Sequence, residues 1–182
     1  MAYSVPLTAV SGTGLTAAQW NASVRDNILA TAPAKATSEG GLIVTTGPNA
    51  VIQRTPKVDS VAAAENTTLT SFGDLPSGTV GPSVTVTHGT SALVLLHSRI
   101  TANTVNVNTR AGFEISGSHT RGGSNDLALA FEPSVVGQDM NAGTGFLITG
   151  LTPGSSTFKM VYKVDSAATG TFSSRRLTVV PL

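Results

Sequence analysis

The chain has 182 residues, enough for one domain of ordinary size or a smaller domain with an extension. Charged residues make up 12% and hydrophobic ones 40%, so low charge does not signal disorder here. A net charge of +1 without a Lys/Arg run argues against a nucleic-acid partner, and the absence of Cys excludes disulfides and thiolate metal sites. The longest apolar run, residues 92–96, is far short of a membrane span, so no membrane partner is expected. The N-terminus lacks a basic region followed by an apolar core, so the protein is expected to be made in a cytoplasm and not to leave by ordinary secretion. The polar complement is Thr, Ser, Asn and 19 Gly, a mixture suited to strands and the turns between them.

Residues 1–14 read as an irregular arm, with Pro6 and then Ser11-Gly12-Thr13-Gly14, which orders only against a neighbour. The next stretch, LTAAQWNASVRDNILATAP from Leu15 to Pro33, holds the single Trp and predicts an amphipathic helix over 16–31. Thr16 is its N-cap and Gln19, three residues on, completes a capping box. Leu15 and Trp20 have the spacing of a hydrophobic staple. Trp20, Val24 and Ile28 recur every four residues and make one narrow apolar stripe. Pro33 is the expected stop, and 33–40 a loop. Residues 41–54 predict a hairpin, in which Leu42-Ile43-Val44 and Val51-Ile52 flank Gly47-Pro48-Asn49. One helix and two strands cannot bury a core alone, so residues 1–56 read as an anchoring and oligomerisation segment.

Residues 57–182 read as a β-sandwich domain. Strands are expected at 67–72, 83–87, 92–100 (nearly all apolar, hence covered on both faces), around Val105/Val107 and Phe113/Ile115, over Leu127/Leu129/Phe131, and at 145–151, 157–164 and 176–180. In 157–164, Phe158, Met160, Tyr162 and Val164 face one way and Lys159 and Lys163 the other. Strand signals at this spacing indicate an antiparallel sandwich, most plausibly a jelly roll, and the whole fold is mainly β. Strand order is not legible.

Gly12-Thr13-Gly14-Leu15-Thr16-Ala17 matches G-x-G-x-x-A but lacks the surrounding βαβ unit that a dinucleotide site needs, so the glycines read as freedom for the arm to turn. His88 and His119 fall in turns and read as solvated, and His97, in an apolar strand, as a core histidine; none has metal-ligand companions. Glu114, Glu132, Asp126 and Asp139 could in principle cleave a glycosidic bond, but nothing pairs them and no aromatic platform accompanies them. No catalytic, cofactor or metal site is expected, and the chain reads as a non-enzyme. Asn125 and Asp126, in a Gly/Asn-rich loop, and Asp139 and Asn141 in another, are candidate outer-loop contacts for sugar hydroxyls. Arg175-Arg176 reads as an exposed pair on an edge strand. In the helix, Asn21, Arg25 and Asp26 form a solvated face or, beside the Trp stripe, part of an interface.

Leu15-Thr16-Ala17-Ala18-Gln19-Trp20-Asn21 followed by Val24-Arg25-Asp26-Asn27 resembles the N-terminal signature of tailed-phage virion proteins, the minor tail proteins and fibres described especially in phages of actinobacteria. Ala32-Pro33-Ala34-Lys35-Ala36, the hairpin with Thr46-Gly47-Pro48-Asn49-Ala50, and the ending Arg176-Leu177-Thr178-Val179-Val180-Pro181-Leu182 are similar to the same group. The specific part of the likeness is the helix and hairpin. The resemblance implies a virion protein assembled in the host cytoplasm and released by lysis, a homotrimer bound to other virion proteins in tail, neck or capsid, and a displayed sandwich that binds host-surface glycans. A capsid decoration protein or head fibre is the alternative within that class, and a carbohydrate-binding module without a virion role the alternative outside it.

Overall fold

A computed structural model describes residues 12–76 and 81–182; the expected arm lies outside these up to Ser11. The chain divides into two units, one through Thr55 and the other Pro56–Pro181.

In the first unit the helix runs as α1 (Ala17–Trp20), a π turn (Asn21–Arg25) and α2 (Asp26–Leu29). Its start follows the expected chemistry: Thr16 Oγ1 accepts from the Gln19 N–H at 3.2 Å, and Gln19 Oε1 accepts from the Thr16 N–H at 2.9 Å. Pro33 does not end helical structure. A further turn, α3 (Ala32–Lys35), contains it, because the first turn of a helix needs no hydrogen bond from its N–H groups. Strands β1 (Leu42–Gly47) and β2 (Ala50–Arg54) form the hairpin, with Leu42 opposite Arg54 and Gly47 opposite Ala50. Pro48 followed by Asn49 at φ 53° is the residue pattern of a type II turn. The Gln53 amide clasps the loop that precedes the hairpin, accepting from the Thr37 and Ser38 N–H groups and donating to the Ser38 carbonyl at 2.7 Å.

The second unit is a jelly roll. Its strands are β3 (Lys57–Val61), β4 (Glu65–Thr67), β5 (Ser83–His88), β6 (Ser91–Ala102), β7 (Thr109–Gly117), β8 (Ala128–Phe131), β9 (Asp139–Thr149), β10 (Gly154–Val164) and β11 (Gly170–Pro181). One antiparallel sheet has the order β3-β11-β6-β9, with β4 also on β11, and the other has the order β5-β10-β7-β8. Val94, Leu96, Phe113, Phe158, Met160 and Leu177 are among the buried side chains of the shared core. Strand β10 follows its predicted alternation, and Lys159 on its outer side pairs with Asp74 and Glu114, both at 2.9 Å. Those two carboxylates raise the Lys159 ammonium above its ordinary range.

Several elements differ from the sequence reading. Val105 and Val107 lie in a loop, where Asn106 takes φ 57°. The strand expected at 67–72 lies at Glu65–Thr67 and stops there, since Thr67 Oγ1 accepts from the Leu69 N–H in a side-chain turn. Strand β6 is central but buried on one face only: Ala92, Val94, Leu96 and Ile100 point in, while Leu95 on the outer face is 41% exposed. A run of apolar residues does not require two covered faces when the outer ones remain half in water.

The largest correction concerns Arg175-Arg176. Strand β11 lies between β3 and β6, so it is no edge. Between the pairs Ser173↔Arg99 and Arg176↔His97 it carries one more residue than β6, a bulge in which Ser174 takes φ 48°. The extra residue changes the parity of the strand. Phe172 faces inward before it, and Arg175, Leu177 and Val179 face inward after it. Arg175 is therefore fully buried; its Nη2 donates to Glu65 Oε1 at 3.0 Å and to the Ala63 carbonyl at 3.2 Å. The guanidinium carbon lies 5.6 Å from the Tyr162 ring centroid. Burial pushes the Tyr162 phenol above its ordinary range, and the neighbouring guanidinium opposes the rise.

Candidate assembly surface and a cleft in the jelly roll

The described part of the first unit has almost no interior. Among residues 12–55 with a described side chain, Asn27 and Ala30 alone are buried. Of the residues expected at an interface, Leu15 and Trp20 are each 55% exposed and Ile28 60%, with Asn21 and Val24 half-buried. Arg25 and Asp26 pair with each other at 2.9 Å. Residues four apart in an α-helix overshoot a full turn by about 40°, so a stripe at that spacing drifts sideways. The π turn between Trp20 and Asp26 rotates less per residue and holds Trp20, Val24 and Ile28 nearer to one line.

Sequence reasoning missed Leu29, Leu42 and Ile52, which are 48%, 42% and 43% exposed. The signal for Leu42 and Ile52 was the hairpin itself. Leu42, Val44 and Ile52 share one face by register, whereas Ile43, Thr45 and Val51 share the other. Thr45 and Val51 line an apolar groove of about 450 Å³ with Ala30, Thr31 and Ala32. Both faces of the hairpin therefore carry large apolar groups, and a hairpin lacks independent stability without cover.

The outer-loop candidates do not form a site. Asn125 and Asp126 sit in a 3-10 turn (Asn125–Leu127) that leads into β8 and is capped by Ser124. Asp139 and Asn141 are in β9, within the other sheet and not in a loop, and the Asp139 carboxylate is bound by Arg99 at 2.5 Å. Glu114 is paired with Lys159, and Glu132 accepts from the Asn108 amide at 2.8 Å. His88 is buried, not solvated: one ring nitrogen meets the Gly89 carbonyl at 2.8 Å and the other Ser156 Oγ at 2.9 Å. His97 is on the outer face of β6 and half-buried, not in the core, and His119 is half-buried. No group of three or more His, Asp or Glu among the described residues could hold a metal ion, and no helix among them is long and apolar enough to cross a membrane.

The jelly roll carries one feature that no motif announced. Where β3 ends beside the β11 bulge, Ser60, Ala62, His97, Ser174 and Arg176 line an open cleft of about 410 Å³. The bulge holds its wall in place through the Ser174 N–H, which donates to the Ala62 carbonyl at 3.3 Å. His97 Nδ1 lies 2.9 Å from the Ser174 carbonyl. A carbonyl only accepts, so Nδ1 carries the proton, and Nε2 is left to meet a ligand.

No protein-family model matches the sequence, and no curated protein matches it. Solved structures resemble it in fold. Eiger TNF from S. frugiperda aligns with a TM-score of 0.49 at 10% identity, over 71% of this chain and 92% of that one. The VP2 subviral particle of infectious bursal disease virus aligns at 0.41 and 14% identity over 76% of this chain, which spans only 36% of VP2. A CBM22-1 xylan-binding domain from Paenibacillus barcinonensis aligns at 0.32 and 12% identity, over 80% of this chain and 89% of that domain.

Proposed function

We propose that the protein is a non-enzymatic structural component of a tailed-phage virion, minor tail or fibre-like, that trimerises and attaches through its first unit and displays the jelly roll. The observation that carries this reading is the exposed apolar surface of the first unit: Trp20, Ile28, Leu29, Leu42 and Ile52 are all at least 40% exposed, and among its described side chains Asn27 and Ala30 alone are buried. A helix of about four turns and a two-stranded hairpin are unstable alone, and in this reading further chains supply cover. The resemblance of the Leu15–Asn27 stretch to phage virion proteins names those chains as further copies and virion partners, and implies three copies.

Sedimentation equilibrium of the intact chain tests the assembly. Wild type is expected as a trimer, and Trp20→Ala and Ile28→Ala as weaker or dissociated assemblies with the jelly roll still folded. A monodisperse wild-type monomer would overturn the reading. Antibody labelling of intact particles in electron microscopy tests the location: signal along the tail supports a fibre, signal over the capsid the decoration alternative, and no signal rejects both.

A further inference from the structure

We propose that the cleft at the β11 bulge binds an oxyanion, a carboxylate or a phosphate, carried on a polyhydroxylated chain. Arg176 projects from the outer face and has no ion-pair partner among the described residues, whereas its neighbour on that face, Arg99, is neutralised by Asp139. No carboxylate lines the cleft. Asp59, the carboxylate adjacent to Ser60 in sequence, accepts from the Ser60 and Ser83 N–H groups, both at 2.8 Å. Its register partner is Leu177, on the inward face.

Hydrogen-bonding capacity follows. Arg176 and Ser60 are direct register partners, as are Arg176 and His97, so three polar side chains stand in one row across β3, β11 and β6. A guanidinium offers paired N–H donors that match the two oxygens of a carboxylate or phosphate. The Ser60 and Ser174 hydroxyls donate or accept, His97 Nε2 accepts while the proton is on Nδ1, and together they suit the hydroxyls of a polyol. The space is that of a small-ligand site. Ser174 holds a left-handed backbone conformation without being glycine, a strained arrangement retained where the surroundings impose it. None of Asn125, Asp126, Asp139 and Asn141, the residues that the sequence offered for sugar contact, lines this cleft.

Isothermal titration of the intact protein at low salt tests the proposal with trigalacturonate, sn-glycerol 3-phosphate and neutral maltotriose. At least one anionic probe is expected to bind, with maltotriose weaker. Binding of the first alone assigns a uronate source, and of the second alone a phosphate source. Arg176→Gln is expected to weaken the anionic probe roughly tenfold or more, because a charge-assisted hydrogen-bond pair is lost. Arg99→Gln, on the same face but already paired, is expected to leave binding unchanged. Absence of anion binding, full binding by Arg176→Gln, or an equal loss in Arg99→Gln would overturn it. Sedimentation of the same samples separates this outcome from failure of the assembly reading, since Arg176 is outside the first unit.

Discussion

Arg175 sits in the jelly-roll interior with one carboxylate, Glu65, one backbone carbonyl and the face of Tyr162 around it. Its Nε and Nη1 have no hydrogen-bond partner among the described residues. Burying a guanidinium is tolerable only while its counter-charge is present. Glu65→Gln is therefore expected to destabilise the protein by about 3–5 kcal/mol, the scale for leaving one member of a buried pair alone. Replacing both together, Glu65→Leu with Arg175→Met, is expected to recover most of that loss. Urea denaturation midpoints compare the three proteins. A Glu65→Gln loss below about 1 kcal/mol would show that the pair is not an energetic determinant of this core.

At the scale of elements, the bulge decides what β11 presents. Removing Ser174 would leave Phe172 inward, Ser173 outward and Arg175 inward again, so the strand could close into a regular ladder without exchanging its faces. Deleting Ser174 is thus expected to keep cooperative unfolding, at a cost of about 1–2 kcal/mol for lost hydrogen bonds. Deleting Lys159 from β10 would send Met160, Tyr162 and Val164 to the outer face, and that protein is expected not to fold. Circular dichroism with thermal melting distinguishes the two. The bulge also marks the limit of what the sequence made legible. Thr16 and Gln19, or Gly47-Pro48-Asn49, act through neighbours within a few positions and can be read locally. Nothing near Ser174 records that β6 and β11 meet one residue out of step, so Arg175 looked like a surface residue.

For the molecule as a whole, the alternation of Phe158, Met160 and Tyr162 made the sandwich legible, because a half-buried strand must alternate. The order of strands was not, since each partner is decided by sequence-distant pairing, as when β11 inserts between β3 and β6. The same distance hid the cleft, whose walls come from residues 60–62, 97 and 174–176. The first unit read as incomplete from its element count, hairpin included, and Leu42 and Ile52 of that hairpin are exposed. One side of the jelly roll bears on its dynamics. Leu127, Phe131, Met140, Ala142 and Phe146, the partly buried groups bordering the core, all belong to β8, β9 or the turn before β8. Strand β9 is an edge, paired along its length to β6 on one side, while β10 is flanked by both β5 and β7. Stiffness is therefore graded across the fold. In deuterium labelling followed by mass spectrometry, amides of 139–149 should exchange first and those of 156–162 last. Equal rates across the two segments would mean that the roll opens as one cooperative body, without a soft flank.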